Sequence, residues 1–260
     1  MPELPDVEGF RRVLARHAGA RIGKVLIRDR GVLRGVSAAR LERALRGRHF
    51  RRPARHGKWL IAPTDAPAIL LFHFGMTGSL SWHKSSEPLH RDDRIVFTLD
   101  GRELRYRDLR KLQGVRLLHD RTALERLLAV LGPDALKVSR TQFDRLLAGR
   151  GRLKARLADQ AIIAGLGNLL IDEICWRARI SPWRSAHSLS DAERARLYAR
   201  MRHVLRDSVR AGRVPGYRSW LTGRRDRRDA RCPRCAGKLA RRRLAGRTTV
   251  WCPRCQPSRS

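Results

Sequence analysis

The sequence predicts an α+β multidomain chain: a sheet domain that opens with a helix, then a helical domain, then a small metal-organised module. Three observations carry this. Apolar runs with a turn signal fill residues 58–118, apolar residues at helical spacing fill 141–211, and four of the five cysteines lie in two tight pairs after residue 231. The 260 residues exceed what one small domain needs, and 42% hydrophobic residues are enough for more than one core.

Residues 3–17 read as the opening helix, with Val7, Phe10 and Leu14 at helical spacing. Pro5 is tolerated in its first turn, and Glu3, Asp6 and Glu8 fall near the positive end of its dipole. Ser37 caps a short helix over 38–46. Strands follow at 58–61 and 69–74, and Asp100-Gly101 between two further strands is a hairpin signal. Thr122 and Glu125 form a capping box, and the helix it opens ends at Leu131-Gly-Pro-Asp134. A second box, Ser190 with Glu193, opens a helix to about Arg210. Residues 212–231, rich in Gly and Arg, read as a loop facing a polyanion. The expected divisions are 1–120 for the sheet domain, 121–133 for a linking helix, 134–225 for the helical domain and 226–260 for the metal module.

Lys plus Arg number 58 against 24 Asp plus Glu, a net charge of +34. An excess of that size excludes a neutral partner surface and points to a polyanion, because each phosphate neutralised releases counterions. No apolar run reaches the roughly 18 residues a membrane span needs, and the acidic start MPELPDVE lacks the apolar core of a signal peptide. The expectation is a cytoplasmic monomer with no membrane partner. Disulfides are not expected there, and Cys175, alone in an apolar helical stretch, reads as a buried core thiol.

Three motifs carry chemistry. Cys232-Pro-Arg-Cys235 and Cys252-Pro-Arg-Cys255 offer four thiolates for a tetrahedral Zn2+ site. Four sulfur ligands leave no position for water, so one structural zinc ion is expected, and Arg241, Arg242, Arg243 and Arg247 between the knuckles make the module basic. Gly165-Leu-Gly-Asn168 before an apolar run reads either as a phosphate-facing helix start or as a tight interhelical turn. Removal of Met1 makes Pro2 a terminal secondary amine, with a reference pKa of about 8 that leaves a usable unprotonated fraction. Such an amine attacking a sugar C1′ forms an iminium, an electron sink for elimination.

Together these signals resemble the formamidopyrimidine-DNA glycosylase and endonuclease VIII family. The N-terminal eight residues, HisGlyLysTrpLeu at 56–60, HisPheGlyMetThrGlySerLeu at 73–80, TyrArgAspLeuArgLys at 106–111, GlyLeuGlyAsn at 165–168 and the cysteines match its blocks in order. The resemblance implies an N-terminal β-sandwich, a helix–two-turn–helix domain and a four-cysteine zinc finger acting on damaged double-stranded DNA. It implies Pro2 as nucleophile, Glu3 as the acid assisting sugar-ring opening, Lys58 beside the sugar–phosphate and Arg247 on phosphate during δ-elimination. Lys154 and Asn168 would contact DNA from the helical domain, Met76 and Arg110 would fill the gap left by an extruded base, and Arg91 and Arg150 would touch the backbone. The activity so implied is excision of an oxidised, ring-opened or related base followed by strand cleavage at the abasic site.

The chain departs from the family at several points. Asp6 replaces Glu, Leu112 replaces the Phe of the formamidopyrimidine branch, and Lys111 replaces Arg. Only Ala211-Gly-Arg-Val214 separates the long helix from Pro215, where the 8-oxoguanine-removing branch carries a longer covering loop. That shortening argues against 8-oxoguanine and leaves ring-opened purines, oxidised pyrimidines or bulkier lesions. Two rivals stand beside the enzyme: a lesion-binding protein without catalysis, and, on composition alone, a zinc-ribbon RNA-binding protein.

Overall fold

The computed structural model describes residues 1–257. The chain divides into two compact units, one of residues 1–2 and 6–130, the other of residues 3–5 and those from Leu131 onward. None of the described helices is long and apolar enough to cross a membrane.

The first unit contains most of α1 (Leu4–Ala15), then β1 (Ile22–Ile27), α2 (Ala38–Leu45) and β2 (Ala54–His56). The chain continues through β3 (Trp59–Pro63), β4 (Ile69–His73), β5 (Ser79–Lys84), β6 (Asp93–Leu99), β7 (Arg102–Arg107), β8 (Gly114–Leu118) and α3 (Arg121–Ala129). Two four-stranded antiparallel sheets form, in the orders β1-β6-β7-β5 and β2-β3-β4-β8. Their facing side chains share one core, including Ile22, Phe97 and Tyr106 from the first sheet and Leu60, Phe72 and Val115 from the second. This is the expected sandwich. Alternation along β4 shows how it is built: Leu70 and Phe72 enter that core, while Ile69 and Leu71 lie on the opposite face beneath Leu124, Leu127 and Leu128 of α3. The turn between β6 and β7 has both central residues left-handed, Asp100 at φ 45° and Gly101 at φ 78°, which is the turn twist that suits a two-residue hairpin.

Two expectations are corrected here. β1 and β2 lie before residue 58, and β1 escaped notice because a bulge between Ile22 and Val25 breaks its alternation. The helix over 121–129 is capped by Asp120, whose carboxylate accepts the Ala123 amide at 2.8 Å, and not by Thr122. Ser37 caps α2 as expected.

The second unit holds α4 (Arg140–Leu147), α5 (Leu153–Ala158), α6 (Asn168–Ala178), α7 (Asp191–Ala211) and the hairpin β9 (Ala240–Leu244) and β10 (Arg247–Trp251). Capping boxes open α4 at Ser139 and Gln142, and α7 at Ser190 and Glu193. α6 runs through the middle of the core, which is why eight of its eleven residues are buried, including Asp172 and Glu173. Cys175 is buried there, and burial pushes its thiol up to about 12. A smaller core of Trp176, Leu221, Leu239 and Val250 lies against the cysteine knuckles. The Gly- and Arg-rich stretch 212–231 is not simply a solvated loop, since Trp220, Leu221 and Arg225 within it are all buried.

Candidate functional site

Glu3 is the organising residue of the second unit. It is fully buried, and its two carboxylate oxygens accept the amides of Leu169 at 2.7 Å and Leu170 at 3.1 Å. Those amides are orphan donors of the first turn of α6, whose N-cap Gly167 offers no side chain. Glu3 therefore caps a helix 166 residues away, and its charge complements the helix dipole. The two glycines of the motif make room for it. A Cβ on Gly167 would lie 2.2 Å from Glu3 Cδ, and one on Gly165, at φ +112°, would lie 2.5 Å from Leu4 Cδ1. The first-turn amides that invited a phosphate reading are thus taken by a carboxylate of the same chain. Pro2 precedes Glu3 by one peptide bond and is half-buried, and Asn168 is the first residue of α6, its Oδ1 buried without a partner among the described residues.

In the first unit, Lys58 follows Gly57 in the turn between β2 and β3. The turn is braced by Arg55, which donates to Gly57 O at 2.9 Å and to Glu8 of α1 at 3.2 Å. His73 closes β4, its ring 4.7 Å from that of Trp59. Burial, then the positive charge of Lys58, holds the imidazole well below its ordinary range, at about 4, so it is neutral at pH 7. It accepts the Gly75 amide on Nδ1. The sequence reading passed over His73, although it opens one of the quoted blocks.

Met76 and Arg110, expected to act together, are together. Arg110 Nη1 lies 2.9 Å from Met76 Sδ, and the Arg110 amide donates to Thr77 Oγ1 at 3.0 Å. Thr77 in turn donates to the buried Asp108 at 2.6 Å. The base of this pair is therefore fixed while its tip is wet, with Met76, Leu109 and Leu112 all substantially exposed. Arg91 is 86% exposed in the loop before β6, 3.8 Å from Asp92. Arg150 is exposed in the turn before α5.

Lys154 departs from expectation. It is 1% exposed, and its ammonium donates to Asp172 at 2.6 Å and to Thr248 O at 3.3 Å. Asp172 also accepts from Arg225 Nη1 at 2.8 Å and from the Val250 amide at 3.0 Å. Burial pushes Lys154 down and Asp172 up, against the attraction between them. In this geometry Lys154 is no surface contact but one strut of a buried ion cluster joining α5, α6 and β10. Arg247, by contrast, is exposed at the start of β10, just after the left-handed turn Ala245-Gly246.

The four cysteine sulfurs lie within 4.8 Å of one another, with Cys232–Cys255 at 3.8 Å and Cys235–Cys252 at 3.5 Å. Four sulfurs bound about 2.3 Å from a zinc ion stand about 3.8 Å apart, so the residues fit such an ion, and the separations are far from disulfide bonds. Trp176 Nε1 donates to Cys232 Sγ at 3.3 Å and the Arg234 amide to the same sulfur at 3.4 Å, the outer-shell support a thiolate ligand needs. This is a closed, structural metal site.

Family models match the chain in three consecutive parts. Residues 1–115 match the formamidopyrimidine-DNA glycosylase N-terminal domain, 131–216 its H2TH domain, and 231–257 a zinc finger found in FPG and IleRS. The formamidopyrimidine-DNA glycosylase of Desulfitobacterium hafniense is 34% identical over 98% of this chain and all of its own length, and that of Pelobacter propionicus is 37% identical with the same coverage. Among solved structures, the Lactococcus lactis Fpg complex with abasic-site DNA superposes with a TM-score of 0.88 at 25% identity, covering 99% of this chain and all of that one. A MutM complex with carbocyclic 8-oxo-G DNA gives a TM-score of 0.90 at 25% identity, with the same coverage. The chain belongs to the formamidopyrimidine-DNA glycosylase and endonuclease VIII family.

Proposed function

We propose that the protein is a bifunctional DNA glycosylase and abasic-site lyase of base-excision repair. The observation that carries this reading is the lock between Glu3 and α6. A buried carboxylate on two helix-start amides fixes the residue bonded to Pro2, so the N-terminus is built into the fold and does not trail from it. With Met1 removed, the Pro2 nitrogen attacks C1′ of the damaged nucleotide, the base leaves, and the resulting iminium draws electrons from the C2′–H bond to expel the 3′-phosphate. A second elimination expels the 5′-phosphate and leaves a gap. Glu3 assists ring opening, Lys58 serves the sugar–phosphate, and Arg247 stabilises the phosphate leaving in the second step. Met76 and Arg110, fixed at the base and exposed at the tip, fill the stack when the base is extruded. Arg91, Arg150 and Asn168 hold backbone. Lys154 acts through Asp172, positioning the hairpin that carries Arg247. The metal is zinc, one ion per chain, and its role is structural.

Lesion choice follows from what is short. α7 ends at Ala211, and Gly212 turns the chain at φ 66°. Only Gly212, Arg213 and Val214 lie between the end of α7 and Pro215, and that short connection favours ring-opened purines, oxidised pyrimidines or bulkier bases over 8-oxoguanine.

Borohydride trapping on a duplex with one abasic site tests the mechanism. Wild type lacking Met1 forms a covalent adduct; protein retaining Met1 forms none, and Pro2→Gly forms little. Absence of an adduct from correctly processed wild type leaves a damage-binding protein as the better account.

A further inference from the structure

Three cavities of the second unit are rich in arginine, and two of them differ in what their arginines are doing. In the larger of these two, lined by Trp176 and the end of α6, most of the cations are taken up by the fold: Arg177 pairs with Glu173 at 2.7 Å, Arg184 with Glu193 at 2.5 Å, Arg196 donates to Ala178 O and Arg234 to Trp176 O. The other, about 490 Å³, is lined by Arg152, Trp183, Arg242, Arg243 and Trp251. All three of its arginines are exposed, and none has a carboxylate at ion-pair distance among the described residues. Arg152 and Arg242 lie over the Trp183 ring, at 5.3 and 5.9 Å, and the two indoles meet edge to face at 5.5 Å. The walls are held in place. The amides of Leu153 and Lys154 donate to Arg184 O and Pro182 O, pinning the chain on both sides of Trp183, and Trp251 directly precedes the metal ligand Cys252.

We propose that this pocket binds one unpaired nucleotide of a DNA strand, its base against the indoles and its phosphate on the guanidiniums. The proposal rests on the DNA-binding reading and extends it to a subsite. Partly exposed aromatic faces beside unneutralised cations are the combination that holds single strands, because every base offers a π-face and every linkage a phosphate. An acidic peptide would use the arginines and leave the indoles idle. A paired base keeps its faces covered by its neighbours, so the occupant is an unpaired nucleotide, such as an end released by cleavage. Alternation along β10 puts Trp251 on the same face of the hairpin as Arg247, so the subsite continues the surface on which phosphate is expected.

The test compares binding of tetrathymidylate with an abasic tetramer of equal charge. Wild type prefers the tetramer with bases by about tenfold. Trp183→Leu loses that preference, Trp183→Phe keeps most of it, and Arg152→Gln, a surface change that leaves folding intact, weakens both ligands several-fold. A wild type indifferent to bases, a preference that survives Trp183→Leu, or unchanged affinity in Arg152→Gln overturns the assignment. Abasic-duplex trapping is run on the same proteins. Normal trapping without base preference removes the subsite alone, whereas base preference without trapping removes the catalytic reading and leaves the subsite standing.

Discussion

Gly167 shows how much a single missing side chain accomplishes. Its neighbours could be read from the chain: Asn168 stands at a helix start, and two glycines precede it. What could not be read is why Gly167 is there, because the group that needs the space, Glu3, lies 167 − 3 = 164 residues away and local pattern carries no trace of it. Alanine at this position puts Cβ 2.2 Å from Glu3 Cδ, so the carboxylate must leave the amides of Leu169 and Leu170. Losing two charge-assisted bonds at a buried helix end costs about 3 kcal/mol. Gly167→Ala is expected to lower the urea midpoint accordingly and to abolish abasic-site trapping, while Gly216→Ala, which meets nothing within 4 Å, changes neither. Equal behaviour of the two variants would show that the Glu3 lock is not what places the N-terminus. Lys154 illustrates the opposite failure of reading. A lysine in a run of cations looks like a phosphate contact, and only the fold reveals Asp172 behind it.

At the level of elements, sequence signals were reliable where the determinant is local. Ser37, Ser190 with Glu193, and Asp100-Gly101 each mark the structure they were expected to mark, because a cap or a two-residue turn is decided within four residues. The four cysteines are legible for the same reason. The attachment of the hairpin is not, since it depends on a buried aspartate in α6 that a helical pattern treats as an anomaly. Asp172→Asn leaves Lys154 and Arg225, both nearly fully buried, without their counter-charge. Removing one partner of a buried ion cluster costs about 3–5 kcal/mol, most of it from the charges left behind. The variant is expected to unfold at lower urea, followed by tryptophan fluorescence, and to release zinc faster to a colorimetric chelator. If zinc release matches wild type, the cluster does not hold the metal hairpin, and Lys154 loses its positioning role.

Across the whole molecule the dominant physical fact is charge. With 58 basic and 24 acidic side chains, 58 − 24 leaves 34 cations that no acid in the chain can neutralise. Internal pairing takes some of the rest, as at Asp172 and Glu8, but the surplus must face solvent and ions. On the proposed function a duplex would supply the missing anions, and every phosphate engaged would return its condensed counterions to solution. Affinity for an abasic duplex is therefore expected to fall steeply with salt, by about a thousandfold or more between roughly 50 and 200 mM if six or more phosphates are engaged. Arg247→Gln separates a specific contact from the general field. An arginine seated on phosphate contributes about 0.9 to the slope of log affinity against log salt, so its loss should flatten the slope by about that amount. An exposed arginine that only adds to the overall potential should leave the slope nearly as it was. A shallow slope in wild type would mean that the excess charge serves something other than phosphate, and the case for a DNA partner would then rest on the family relationship alone.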